Sequence, residues 1–96
     1  MFVTVTHAEF KPERLAEVRE EIATLAGAMT KLDGYRGTET LRDAARDNVF
    51  LFLLRWENRA AWQAYREGLY QQEVVPKLEP LATEFRAVGQ YELVEG

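Results

Sequence analysis

The chain has 96 residues, 47% of them apolar and 11% aromatic, with sixteen Asp and Glu against twelve Lys and Arg for a net charge of −4. That length suits one domain, residues 1–96, with a thin core, because so short a chain buries only roughly 60–65% of its unfolded surface. The mild acidity and lack of a basic stripe exclude nucleic acid as a partner, and the absence of cysteine and serine excludes disulfides, thiolate metal sites and Cys or Ser nucleophiles.

A single histidine cannot build an all-His metal site, and no metal is expected. The longest apolar run, Val49 to Leu54, is six residues, against about 20 needed to span a bilayer. Met1 to Phe10 lacks the basic start and apolar stretch of a signal peptide. The expectation is a cytoplasmic protein with no membrane contact.

In chain order, Phe2 to Phe10 alternates as a strand, with Val3, Val5 and His7 on one face and Phe2, Thr4 and Thr6 on the other. Pro12 suits a first helical turn, where its missing N–H is harmless. Leu15, Val18, Ile22, Leu25, Met29 and Leu32 then recur at spacings of three and four, which predicts an amphipathic helix of about twenty residues. Asp33-Gly34 ends it, Gly34 in a left-handed cap. Tyr35 to Arg42 reads as a second strand, Asp43 to Asn48 as a hairpin loop and Val49 to Trp56 as a third strand. A second helix starts near Asn58, carrying Trp62, Tyr65 and Leu69. Pro76 and Pro80 break up Glu73 to Leu81, which has room for another short helix. Phe85 to Val94 is the last strand, alternating Phe85, Ala87, Tyr91 and Leu93 against Arg86, Gln90 and Glu92.

The order β-α-β-β-α-β predicts an α+β, ferredoxin-like fold, a four-stranded antiparallel sheet with both helices on one face. Val49-Phe50-Leu51-Phe52-Leu53-Leu54 is apolar on both faces of its strand. The helices can cover Phe50, Phe52 and Leu54, or Val49, Leu51 and Leu53, but not both sets. Leaving three such side chains wet forgoes several kcal/mol at about 25 cal/mol per Å². A second copy packed sheet against sheet is the expected cover, so the chain is read as a homodimer through the sheet face.

Several stretches together resemble the antibiotic-biosynthesis-monooxygenase family. They are Phe2-Val3-Thr4-Val5 followed by Lys11-Pro12, Leu32-Asp33-Gly34-Tyr35, and Phe52 to Asn58 running into Ala61-Trp62. Val74 to Leu81 and a tyrosine-bearing final strand add to them. The most specific piece is Arg55-Trp56-Glu57 followed after five residues by an aromatic. The resemblance implies a dimeric α+β barrel and oxidation of an aromatic quinol or polyketide-like ring by O2, with no cofactor. It also implies a pocket whose helix-facing strand residues are Phe50, Phe52, Leu54 and Trp56.

Trp56 matches the tryptophan that ends the third strand in the polyketide oxygenases of the family, and Trp62 stands where they carry a tyrosine. The asparagine four residues before that tryptophan is Phe52 here. The haem-degrading branch uses a first-strand asparagine, which aligns with Thr6 or His7. It also uses a second-helix tryptophan, near Tyr65, and an axial histidine, near Val75.

The candidate catalytic residues are therefore His7, whose ordinary pKa lies near neutrality and suits a proton acceptor, and Trp56. The candidate substrate-binding residues are Phe52, Trp62, Tyr65 and Tyr70, for a small aromatic or apolar substrate. Arg55 is expected to pair across the dimer with Glu39 or Glu92. The rival readings are a dimer that binds a small ligand without turnover, and an isomerase or cyclase on the same barrel.

Overall fold

Strand β1 (Phe2–Phe10) runs through the middle of the sheet, paired with β3 (Val49–Trp56) on one side and β4 (Ala82–Glu92) on the other. Strand β2 (Tyr35–Arg42) extends the sheet beyond β3, so the order is β2-β3-β1-β4 and every pairing is antiparallel. The computed structural model describes residues 1–94. The two helical segments lie on one face of this sheet, the ferredoxin-like α+β arrangement read from the element order. Among the described residues no helix is long and apolar enough to cross a membrane.

Pro12 opens a 3-10 turn, Pro12–Arg14, that leads into α1 (Leu15–Met29). Val18, Leu25 and Met29 are the buried edge of the expected stripe, with Leu15 and Ile22 packed beside them. The helix ends at Met29, three residues before the stripe does. Thr30 donates its hydroxyl to the Gly27 carbonyl at 2.7 Å, and Leu32 reaches the core from the turn. Gly34 has φ +79°, and a Cβ there would lie 2.5 Å from the Ala61 Cβ. Glycine is thus required twice, by the left-handed backbone and by the close approach of the next helix.

That helix, α2 (Arg59–Glu67), is capped by Asn58, whose side-chain oxygen accepts from the Ala61 N–H at 2.9 Å. Gly68 ends it with a non-helical backbone. A wide π-type turn, Tyr70–Val74, passes directly into the short helix α3 (Val75–Leu78) and a 3-10 turn, Glu79–Leu81. Pro76 is accommodated in the first turn of α3, where a missing N–H costs nothing.

Pairing Phe2 with Trp56, Thr4 with Leu54 and Thr6 with Phe52 puts all six on the helix-facing side. Phe50, Phe52, Leu54 and Trp56 accordingly join the core with Phe2, Ala8 and Phe10. The outer side carries Val3, Val5, Leu41, Leu51 and Leu53, half-buried or exposed, with no element of the described residues over them.

Two features of the outer side differ from the sequence reading. A bulge between Val5 and Thr6 leaves Val88 unpaired on β4, so alternation changes phase there. Phe85 and Ala87 face the helices, but Tyr91, expected on the same face as those two, is turned to the outer face, its ring lying over Gly89. Arg55 pairs with Glu39 of its own chain, because the β2–β3 register brings the two side chains together.

Candidate functional site

Helix α1 and the α2–α3 segment do not close over the centre of the sheet. A cavity of about 220 Å³ remains between them. Its floor is Thr6, Thr38, Thr40, Phe52, Leu54 and Phe85 on three strands and the central β1. Leu25, Ala26 and Met29 of α1 form one wall, and Tyr65, Tyr70 and Val74 form the other. The lining is apolar and aromatic with a scatter of hydroxyls, a composition suited to a flat, uncharged ring.

The hydroxyls are not equivalent. Tyr35 and Thr38 lie 2.6 Å apart and satisfy one another. Among the described residues, neither Tyr65 nor Tyr70 hydrogen-bonds through its phenol oxygen, although Tyr65 is buried. Among the described residues the only fully buried side-chain polar atom left without a partner is Nδ1 of His7, so the Tyr65 hydroxyl is not sealed inside the core. Burial pushes the Tyr65 phenol well above its ordinary value, with Tyr70 and Tyr35 adding to the effect. Tyr70 shifts the same way through burial, Glu79 adding and the Arg66 charge opposing. Both phenols stay protonated at neutral pH and can donate a hydrogen bond to a guest oxygen.

Of the residues singled out from the sequence, Phe52, Tyr65 and Tyr70 meet at this cavity. Trp62 does not reach it. It borders an adjoining recess of about 170 Å³ with Thr4, Arg66 and Gln90, and its ring packs 5.4 Å from that of Phe2.

Trp56 lines neither space. As the last residue of β3 it lies fully buried. Its indole N–H donates to the Thr4 hydroxyl at 3.4 Å, and its ring contacts Tyr65 at 4.8 Å and Tyr35 at 5.6 Å. Its position supports two tyrosines of the cavity wall.

His7 is not at the cavity either. An odd-numbered residue of β1 points away from the helices, and His7 stands on the outer face with Nδ1 3.1 Å from Glu84 Oε1, without hydrogen-bond alignment. Arg86, paired with the same carboxylate, holds Glu84 below the usual carboxylate range, and the His7 charge acts in the same direction.

The sequence reading missed Tyr35, Thr38 and Thr40 on β2 and the α1 wall. The signal was present for the threonines, since Thr4, Thr6, Thr38 and Thr40 all fall on the helix-facing side of their strands.

The sequence profile of the antibiotic biosynthesis monooxygenase family matches residues 1–77. No curated protein matches the chain at a significant level. Among solved structures, a Deinococcus radiodurans protein named an antibiotic biosynthesis monooxygenase is 21% identical, with a TM-score of 0.86 over 100% of this chain and 95% of that one. A Nitrosomonas europaea protein of the same name is 17% identical, with a TM-score of 0.85 over 99% of this chain and 100% of that one. The heme-degrader MhuD of Mycobacterium tuberculosis, with two hemes in its active site, is 22% identical, with a TM-score of 0.77 over 100% and 98%. At such identities these likenesses establish the fold alone. With the profile spanning most of the sequence, the chain belongs to the antibiotic biosynthesis monooxygenase family.

Proposed function

We propose that the chain oxidises an aromatic quinol or polyketide-like ring with O2, without a bound cofactor, in the cavity between sheet and helices. The observation that carries this reading is a pair of protonated phenols, Tyr65 and Tyr70, without partners among the described residues, in an otherwise aromatic and aliphatic enclosure. They orient the ring by donating to its oxygens. Phe52 and Leu54 supply the flat apolar surface, and exclusion of water protects the reactive ring.

The chemistry balances with oxygen as sole oxidant. A hydroquinone gives up four electrons to one O2; one oxygen atom enters the ring to make a hydroxyquinone and the other leaves as water. The substrate supplies the electrons once its own phenol ionises.

A second copy of the chain is the proposed cover for the outer sheet face. Val3, Val5, Leu51 and Leu53 form a continuous apolar surface there, and burying it yields several kcal/mol at about 25 cal/mol per Å².

Oxygen uptake by metal-free protein with a panel of aromatic hydroquinones, corrected for autoxidation, tests the reaction. Ala26 lines the cavity from an exposed position on α1, so Ala26→Trp plugs the space and leaves the core alone. Saturable uptake that collapses in Ala26→Trp supports the reading. Uptake equal to the blank in both proteins overturns it.

One observation favours the reading without turnover. The cavity lining contains no His, Asp, Glu or Lys, so the pocket holds no general base. A dimer that only binds an aromatic ligand fits that lining, and would bind the hydroquinones without consuming oxygen. The same lack counts against an isomerase or cyclase, which must move a proton within the pocket.

A further inference from the structure

The recess bordered by Trp62 shares Thr6, Leu54, Tyr65 and Tyr70 with the main cavity, so the two spaces adjoin across those residues. Neither space alone reaches the roughly 300 Å³ at which ligand pockets usually begin, but together they do. Their linings differ in kind. The main cavity has no charge, whereas the recess holds the guanidinium of Arg66 and the amide of Gln90 and contains no carboxylate.

A carboxylate-free basic recess is notable in a chain whose net charge is −4. Arg66 makes no ion pair among the described residues. Its guanidinium rests over the Trp62 ring at 5.5 Å, which holds the group in place by a cation–π contact without using its N–H donors. Gln90 accepts from Arg59 at 3.3 Å through its side-chain oxygen, which leaves the amide N–H2 group as a further donor.

We propose that cavity and recess form one two-part site whose ligand is an aromatic acid, its ring between Phe52 and the tyrosines and its carboxylate on Arg66. Trp62 then acts by positioning the guanidinium. This inference rests on the aromatic-ring reading above and extends it to the class of substrate.

Calorimetric titration with 2-naphthoate and its uncharged counterpart 2-naphthamide tests it. The ring is the same, so the difference isolates the carboxylate. The wild-type chain is expected to bind naphthoate about tenfold or more tightly than naphthamide, as for a charge-assisted contact. Arg66→Gln should cancel that preference while naphthamide affinity stays within about twofold, which also shows that the variant is folded; Arg66→Lys should restore part of it.

Equal binding of both probes, unchanged in Arg66→Gln, overturns the acid site and leaves the ring pocket standing. A preference that survives Arg66→Gln overturns the role of Arg66. Failure of both probes to bind removes the aromatic-pocket reading and this inference with it.

Discussion

The Trp56 and Tyr65 rings lie 4.8 Å apart at 33° to each other, so a fully buried aromatic of the sheet sits directly behind the most buried phenol of the cavity. The indole is itself held by the Thr4 hydroxyl. Trp56→Ala removes this support and opens a void in a thin core. A loss of about 3–5 kcal/mol is expected, much of the stability of so small a domain. Denaturant unfolding of Trp56→Ala and Trp56→Phe separates support from chemistry: Trp56→Phe should fold and retain ligand binding. A folded, stable Trp56→Ala that loses only turnover would instead make the indole a participant.

Tyr65 links stability to alkaline pH. Its folded-state pKa is raised above the ordinary value of 10.0 by burial, so the folded chain keeps a proton that the unfolded chain loses. Stability from this group is complete below about pH 10 and falls as pH rises beyond it, approaching about 1.4 kcal/mol per pH unit. Urea unfolding between pH 8 and 11 should show this slope in the wild type and a shallower one in Tyr65→Phe. At neutral pH Tyr65→Phe should cost little stability, because the hydroxyl has no protein partner to lose, yet it should weaken hydroquinone binding. An unchanged affinity would take the phenol out of the site.

The outer sheet face gives a prediction independent of the pocket. Leu53 stands between Val5 and Glu39 on the side away from the helices. Leu53→Glu places a charge at the centre of the proposed contact between copies and should convert a dimer to a monomer in sedimentation or light scattering, since a charge buried without a partner costs several kcal/mol. A wild-type chain that is already monomeric at micromolar concentration would end the dimer proposal.

His7 belongs to that outer face as well. His7→Ala should leave oxygen uptake at saturating substrate within about twofold of wild type. Loss of a general base at the reaction centre would cost on the order of a hundredfold or more. A drop of that size would show that the histidine reaches the chemistry by a route other than its own chain's cavity.

Most of the architecture was open to reading before any coordinates, because period alone separates these elements. The three- and four-residue spacing from Leu15 to Met29 marks a helix, and the unbroken apolar run of β3 marks a strand apolar on both faces. Gly34 was also readable, as a left-handed stop, although its contact with Ala61 was not. Phe52, Tyr65 and Tyr70 were singled out as apolar and phenol-bearing candidates, and all three line the cavity.

What local pattern could not supply was phase and depth. His7 was singled out by its residue type and Trp56 by the family resemblance. The β1 register turns one to the outer face, and the end of β3 sinks the other beneath α2. The bulge opposite Val5 and Thr6 reverses Tyr91, because a single unpaired residue shifts every later side chain on β4 to the other face. The wide turn at Tyr70–Val74 and the juxtaposition of Arg66 with Trp62 and Gln90 depend on how helix and sheet meet across residues far apart in sequence. The sequence by itself determined the elements, their order and the two-sided apolar strand, since these follow from local periodicity. Which side chains enclose the cavity was decided only by the tertiary structure, because pairing register and one bulge set the direction in which each residue points.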